Sequence, residues 1–67
     1  MTQNPPDIVL QLDRFLKREN IVQSGGEAKI LIQTGRVKLN GEVETRRKKK
    51  IQIGDLVEID GQEIQVT

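Results

Sequence analysis

Gly35-Arg36-Val37-Lys38-Leu39-Asn40-Gly41 decides the fold, because the hydrophobic period changes inside it. Ahead of it, Ala28, Leu31 and Ile32 recur three and four residues apart, the spacing of one helix face, with Lys29 and Gln33 on the other. From Arg36 the spacing is two: Val37 and Leu39 alternate with Arg36 and Lys38, as on a strand with one face on a core. Gly35 stands where a helix needs a left-handed residue to end. Asn40-Gly41 is the dipeptide most favoured where two antiparallel strands join. A helix that runs directly into a hairpin makes the chain α+β.

Working back from that junction, Ser24 and Glu27 fit a capping box, in which the hydroxyl accepts the amide three residues on and the carboxylate reaches back to the capping residue's own amide. The second helix is therefore expected over 25–34. Leu12, Phe15 and Leu16 make an earlier amphipathic stripe, with Asp13, Arg14, Lys17 and Arg18 on the wet side. That spacing predicts a helix over 11–19, stopped by Asn20, with Ile21 and Val22 packing the two helices together. Ile8-Val9-Leu10 reads equally as a strand or as the entry to that helix. Residues 1–7, polar and with Pro5-Pro6, read as a flexible tail, which leaves 8–67 as a single domain.

Working forward, the register of the hairpin has two solutions. A two-residue turn pairs Leu39 with Glu42 and puts Val43 on the face of Lys38, which mixes apolar and charged residues. A three-residue loop puts Val37, Leu39 and Val43 on one side and sets Arg36 and Lys38 across from Glu42 and Glu44. The odd-length loop is the expectation. Ile51 and Ile53 then lead to a turn at Gly54-Asp55, and strands over 56–59 and 63–66 flank Asp60-Gly61. Val57, Ile59, Ile64 and Val66 fall on their inner faces. The expected architecture is two short N-terminal helices packed on a small, mostly antiparallel sheet of about four or five short strands.

Composition narrows the chemistry. Sixty-seven residues make one small domain, a size that buries only about 60% of its unfolded surface. The absence of cysteine rules out disulfides and thiolate metal sites. The absence of histidine removes the usual metal ligand and the usual base near neutral pH. No enzyme activity, cofactor, metal or small-molecule substrate is expected. No apolar run nears the about 20 residues of a membrane span and no signal-peptide pattern opens the chain, so the expectation is a cytoplasmic monomer with no membrane partner.

Charge is segregated along the chain. Residues 1–28 hold three cations and four carboxylates, 29–50 eight and two, and 51–67 none and four. The net charge of +1 thus conceals a middle third at +6. Its densest part, Arg46-Arg47-Lys48-Lys49-Lys50, is the footprint of a surface that meets phosphates, or else a solvated basic loop. Ser24-Gly25-Gly26 offers a second candidate: unblocked amides at a helix start suit a phosphate, although the glycines also make an ordinary tight turn. The one aromatic, Phe15, lies on an apolar helix stripe and gives bases nothing to stack on.

Four segments occur in a telling order: Leu12-Asp13-Arg14-Phe15-Leu16, Ser24-Gly25-Gly26-Glu27-Ala28-Lys29, Gly35 to Gly41, and Ile53-Gly54-Asp55. Together they resemble the S-four-type RNA-binding domain, the αL module of a small-subunit ribosomal protein, and in particular its small free-standing bacterial members. The resemblance spans about residues 8–67. It implies an RNA-gripping face made by the two helices and the following hairpin, a structured RNA partner (ribosomal RNA, a ribosomal particle or a tRNA-like element), and no catalysis. Carried over by position, the contacts it implies are Lys29, Arg36, Lys38, Asn40 and the run Arg46, Arg47, Lys48, Lys49 and Lys50. Gly25 departs from the pattern, since many members carry an arginine there. The plainer readings are a wet helix face for Lys29, cross-strand partners for Arg36 and Lys38, and a turn residue for Asn40. The alternative function is a protein-interaction adaptor using the basic run or the acidic Asp55, Glu58, Asp60 and Glu63.

Overall fold

The computed structural model describes residues 8–67; the expected tail at 1–7 lies outside the described residues. In chain order the elements are β1 (Ile8–Gln11), α1 (Leu12–Arg18), α2 (Gly25–Gln33), β2 (Val37–Leu39), β3 (Glu42–Val43), β4 (Lys50–Gln52), β5 (Leu56–Ile59) and β6 (Gln62–Gln65). The segment left open between strand and helix entry is a strand. Among the described residues β1 pairs with β4 alone, and the other strands form a sheet ordered β3-β2-β5-β6. Every pairing is antiparallel. Two helices on an antiparallel sheet is the expected architecture, with the strands divided between two sheets.

Both helices end in the same way. Asn20 adopts φ +61° and Gly35 φ +83°. Asn20 N–H donates to the Lys17 carbonyl and Ile21 N–H to Leu16, each at 3.0 Å. Gly35 N–H donates to Ile32 at 3.1 Å and Arg36 N–H to Leu31 at 3.2 Å. This paired closure satisfies carbonyls that a helix end otherwise leaves free.

The helix starts differ from each other. At α2, Ser24 Oγ accepts from Glu27 N–H at 3.2 Å, as expected. The Glu27 carboxylate, however, accepts from Gln23 N–H at 2.7 Å instead of from Ser24. The reciprocal half of the box therefore reaches one residue further back. At α1 no side chain caps the helix. Leu12 N–H donates instead to the Lys49 carbonyl at 2.8 Å and Asp13 N–H to Arg47 at 3.0 Å.

The hairpin corrects the expected register. Leu39 pairs with Glu42 and Lys38 with Val43, so the turn holds only Asn40 and Gly41, at φ +52° and +88°. Two consecutive positive φ values match the twist of the flanking strands. Val43 accordingly lies on the outer face and is 54% exposed. Arg36 and Lys38 do not face Glu42 and Glu44. Lys38 sits opposite Glu58, Arg36 pairs with Asp60, and the Glu44 amide donates to the Val37 carbonyl at 3.0 Å. β3 is a two-residue edge strand, too short for the burial of one valine to outweigh the turn's own chemistry.

One core joins all of this. Leu12, Phe15 and Leu16 of α1, Val22 of the interhelix loop, and Ala28 and Ile32 of α2 close over Val37, Ile51, Val57, Ile59 and Val66. Phe15 is fully buried, a burial worth about 2–3 kcal/mol.

Candidate nucleic-acid interface

The basic run bridges α1 and β4, and its backbone is fixed at both ends. The carbonyls of Arg47 and Lys49 accept the first-turn amides of α1, and Lys50 opens β4 opposite Gln11. Its side chains therefore leave a tethered segment rather than a free loop.

Arg46, Arg47, Lys48, Lys49 and Lys50 together line one depression, and two further depressions adjoin it. Arg46, Lys49 and Lys50 line one that runs along the hairpin turn beside Glu42, Glu44 and Asp55. Arg47 and Lys48 line a second, with Arg14, Lys17 and Arg18 of α1 and Gly25 at the start of α2. Among the described residues Asp13 is the only carboxylate in this second cleft. Five cations around one carboxylate make it the more strongly positive of the two.

Four of these cations have identifiable side-chain partners. Arg46 binds Glu44 through Nε at 2.9 Å and Nη2 at 3.2 Å, and its own amide donates to the same carboxylate at 3.0 Å. The Arg46 hydrogen bond holds the Glu44 carboxyl below the usual carboxylate range, while burial pushes the other way. Arg47 Nε donates to Asp13 Oδ2 at 3.2 Å, and Lys48 Nζ approaches the same oxygen at 3.5 Å. Arg18 lies over the Phe15 ring, 5.2 Å from its centroid.

The other expected contacts lie elsewhere. Arg36 and Lys38 line a separate depression with Glu58 and Asp60. The hydrogen bond that the Arg36 guanidinium donates to the Asp60 carboxylate raises its pKa above its ordinary value. Lys29 stands exposed on α2. Both polar atoms of the Asn40 side chain are engaged: Nδ2 donates to Asp55 Oδ1 at 3.1 Å and Oδ1 accepts Leu56 N–H at 2.9 Å. The basic run thus forms one continuous surface, with Arg36 and Lys38 in a second cluster and Lys29 apart from both. At the start of α2, a Cβ on Gly25 would come 3.3 Å from Arg47 Nη2, so a guanidinium already lies against that turn.

The sequence reading passed over Arg14, Lys17 and Arg18. Their spacing of three and four on the polar side of an amphipathic helix was the available signal. The pairing of β1 with β4 and the hydrogen bonds from the first turn of α1 to Arg47 and Lys49 bring the run beside them. Among the described residues no group of acidic side chains is arranged to hold a metal, and no helix is long and apolar enough to cross a membrane.

Residues 7–67 match the family model described as the S4 domain, so the match takes in every described residue. The chain belongs to the S4 domain family. Among S4 relatives, it is 42% identical over 53 residues to RlbA of Bacillus subtilis, a chain named for ribosome maturation, covering 79% of this chain and 75% of that one. It is 44% identical over 57 residues to YbcJ of Escherichia coli, named as an RNA-binding protein, covering 85% and 81%. The solution structure of Escherichia coli YbcJ, described as revealing an αL motif involved in RNA binding, superposes with a TM-score of 0.67 at 39% identity over 98% of this chain and 81% of that one. The αL fold of this S4 domain is thereby shared with a solved relative.

Proposed function

We propose that this S4 domain is a non-catalytic RNA-binding protein of the cytoplasm that docks as a monomer on structured RNA, with ribosomal RNA or a ribosomal particle as the natural platform. The observation that carries the reading is the tethered cationic segment between α1 and β4, with Arg47 and Lys48 meeting Arg14, Lys17 and Arg18 in one cleft. The names of the relatives support an RNA partner, and that of RlbA supports a ribosomal one. The only aromatic ring in the sequence is fully buried. Recognition then rests on phosphates and backbone shape, which favours folded RNA over a single-stranded motif. Arg46, Lys49 and Lys50 extend the same surface toward the hairpin turn. Asn40 supports that turn, and Lys29 lies outside the proposed docking surface. No cofactor or small-molecule substrate enters this mechanism.

Salt dependence tests it. With about five phosphates neutralised, retention of ribosomal RNA on filters should weaken about 100-fold or more between about 50 and 200 mM salt. Changing Arg46, Lys49 and Lys50 to alanine spares Arg47 and so leaves the buried Asp13 partnered. This variant should stay folded and lose about 0.7–0.9 of slope for each contact removed. An unchanged slope in the folded variant would take those three cations out of the interface.

The adaptor reading has a surface of its own. Val43, Lys38, Glu58 and Glu63 form one cross-strand row on the outer face of the larger sheet. Glu58 directly faces Glu63 there, a like-charge pair that a basic partner would relieve.

A further inference from the structure

We infer that Asp13 is a positioning residue for RNA docking, holding Arg47 and Lys48 in the orientation in which they meet the phosphate backbone; this rests on the RNA-docking function proposed above. Among the described residues Asp13 is the one buried charged side chain. A carboxylate there is unfavourable twice over: it gives up its hydration, and it repels the phosphates that the cleft would attract. A surface built only to gather positive charge would omit it.

Its contacts show what it does instead. Oδ1 accepts Arg14 N–H at 2.8 Å. Oδ2 takes Arg47 Nε at 3.2 Å and Lys48 Nζ at 3.5 Å. The far side of the Arg47 guanidinium lies against the backbone at Gly25, where any side chain would crowd it. Arg47 is thus gripped between a buried anion and the opening of α2, and its side chain is only 29% exposed. Arg46, which pairs with Glu44 at the surface, is 71% exposed. The rotameric freedom of Arg47 is given up on folding and need not be lost again on docking. Cations fixed at set positions fit one phosphate spacing and reject others. Asp13 therefore trades total attraction for selectivity between a rigid folded RNA and a pliable strand.

The test uses folded ribosomal RNA and poly(U) as probes, with Asp13→Asn and Arg47→Ala/Lys48→Ala as variants. Asparagine keeps the shape and can still accept from Arg14, but it removes the charge. Asp13→Asn should bind poly(U) more tightly than the wild type, while its preference for ribosomal RNA over poly(U) falls by about tenfold, the scale of one charge-assisted hydrogen bond. In the Arg47→Ala/Lys48→Ala background the same substitution should leave the preference unchanged. A loss of preference that persists in that background, or a preference unaffected in the single variant, would overturn the inference. The free protein supplies an independent arm. The Arg47 Nε–H should give a slowly exchanging nitrogen-15 signal in the wild type that Asp13→Ala abolishes. If Arg47 stays equally ordered in Asp13→Ala, Asp13 does not position it. Failure of the wild type to retain either RNA would count against the docking function alone.

Discussion

At the residue scale, the proposed RNA docking should be linked to pH through Glu44. Its carboxyl is held down chiefly by the Arg46 hydrogen bond, so its part in folding stability is present above the unfolded value and is lost as pH falls through the folded one. If Arg46 turns to a phosphate on docking, the carboxylate loses a donor and gains an anionic neighbour. Its proton affinity then rises in the complex. The complex binds more protons than the free partners in the acid range, and RNA affinity should increase as pH is lowered through the carboxylate range. Titrations near neutral and acid pH should show this strengthening in the wild type and a smaller one in Glu44→Gln. An identical pH dependence in both would mean that Arg46 keeps its carboxylate in the complex. The residue scale is also where the sequence was most legible. Gly35, Asn20 and Ser24 each announce a local backbone need, and each stands where that need predicted. Asp13 was not legible. It read as an ordinary residue of a wet helix face, and nothing local reveals that a segment more than thirty residues later closes over it.

At the element scale, the Asn40-Gly41 hairpin shows how two legible signals can conflict. Burial of Val43 argued for an odd loop, whereas the dipeptide argued for a two-residue turn, and the turn prevailed because β3 is short and at the edge. The same asparagine ties the hairpin to the turn before β5 through Asp55 and Leu56. Asn40→Ala removes both hydrogen bonds and places a Cβ-bearing residue without local support at positive φ. It should cost about 2 kcal/mol, read as a lower urea midpoint at unchanged m. Glycine at the same position should recover the backbone part of that loss. A stability within about 0.3 kcal/mol of the wild type would show that neither bond contributes.

At the scale of the whole molecule, two charged surfaces are distinguished. One runs from α1 over the basic segment; the other is the outer face of the larger sheet, where Arg36 and Lys38 sit among Glu58, Asp60 and Glu63. Arg36→Ala/Lys38→Ala should therefore leave the salt slope of RNA retention unchanged. A slope reduced by about 0.7–0.9 per residue would return that face to the interface. The α+β class, the helix boundaries and the inner faces of β5 and β6 were readable because they depend on period and turn chemistry. The division into two sheets was not, because β1 finds its partner in β4, about forty residues away, with no local mark on either strand.

That long closure governs how the chain can be made. The amides that open α1 are satisfied by carbonyls at 47 and 49, and among the described residues β1 is satisfied only by β4. In a nascent polypeptide leaving the exit tunnel, β1 and the opening turn of α1 lack these partners until residues past 52 have emerged. The hydrogen bonds within α2 and between β2 and β3 need no such wait.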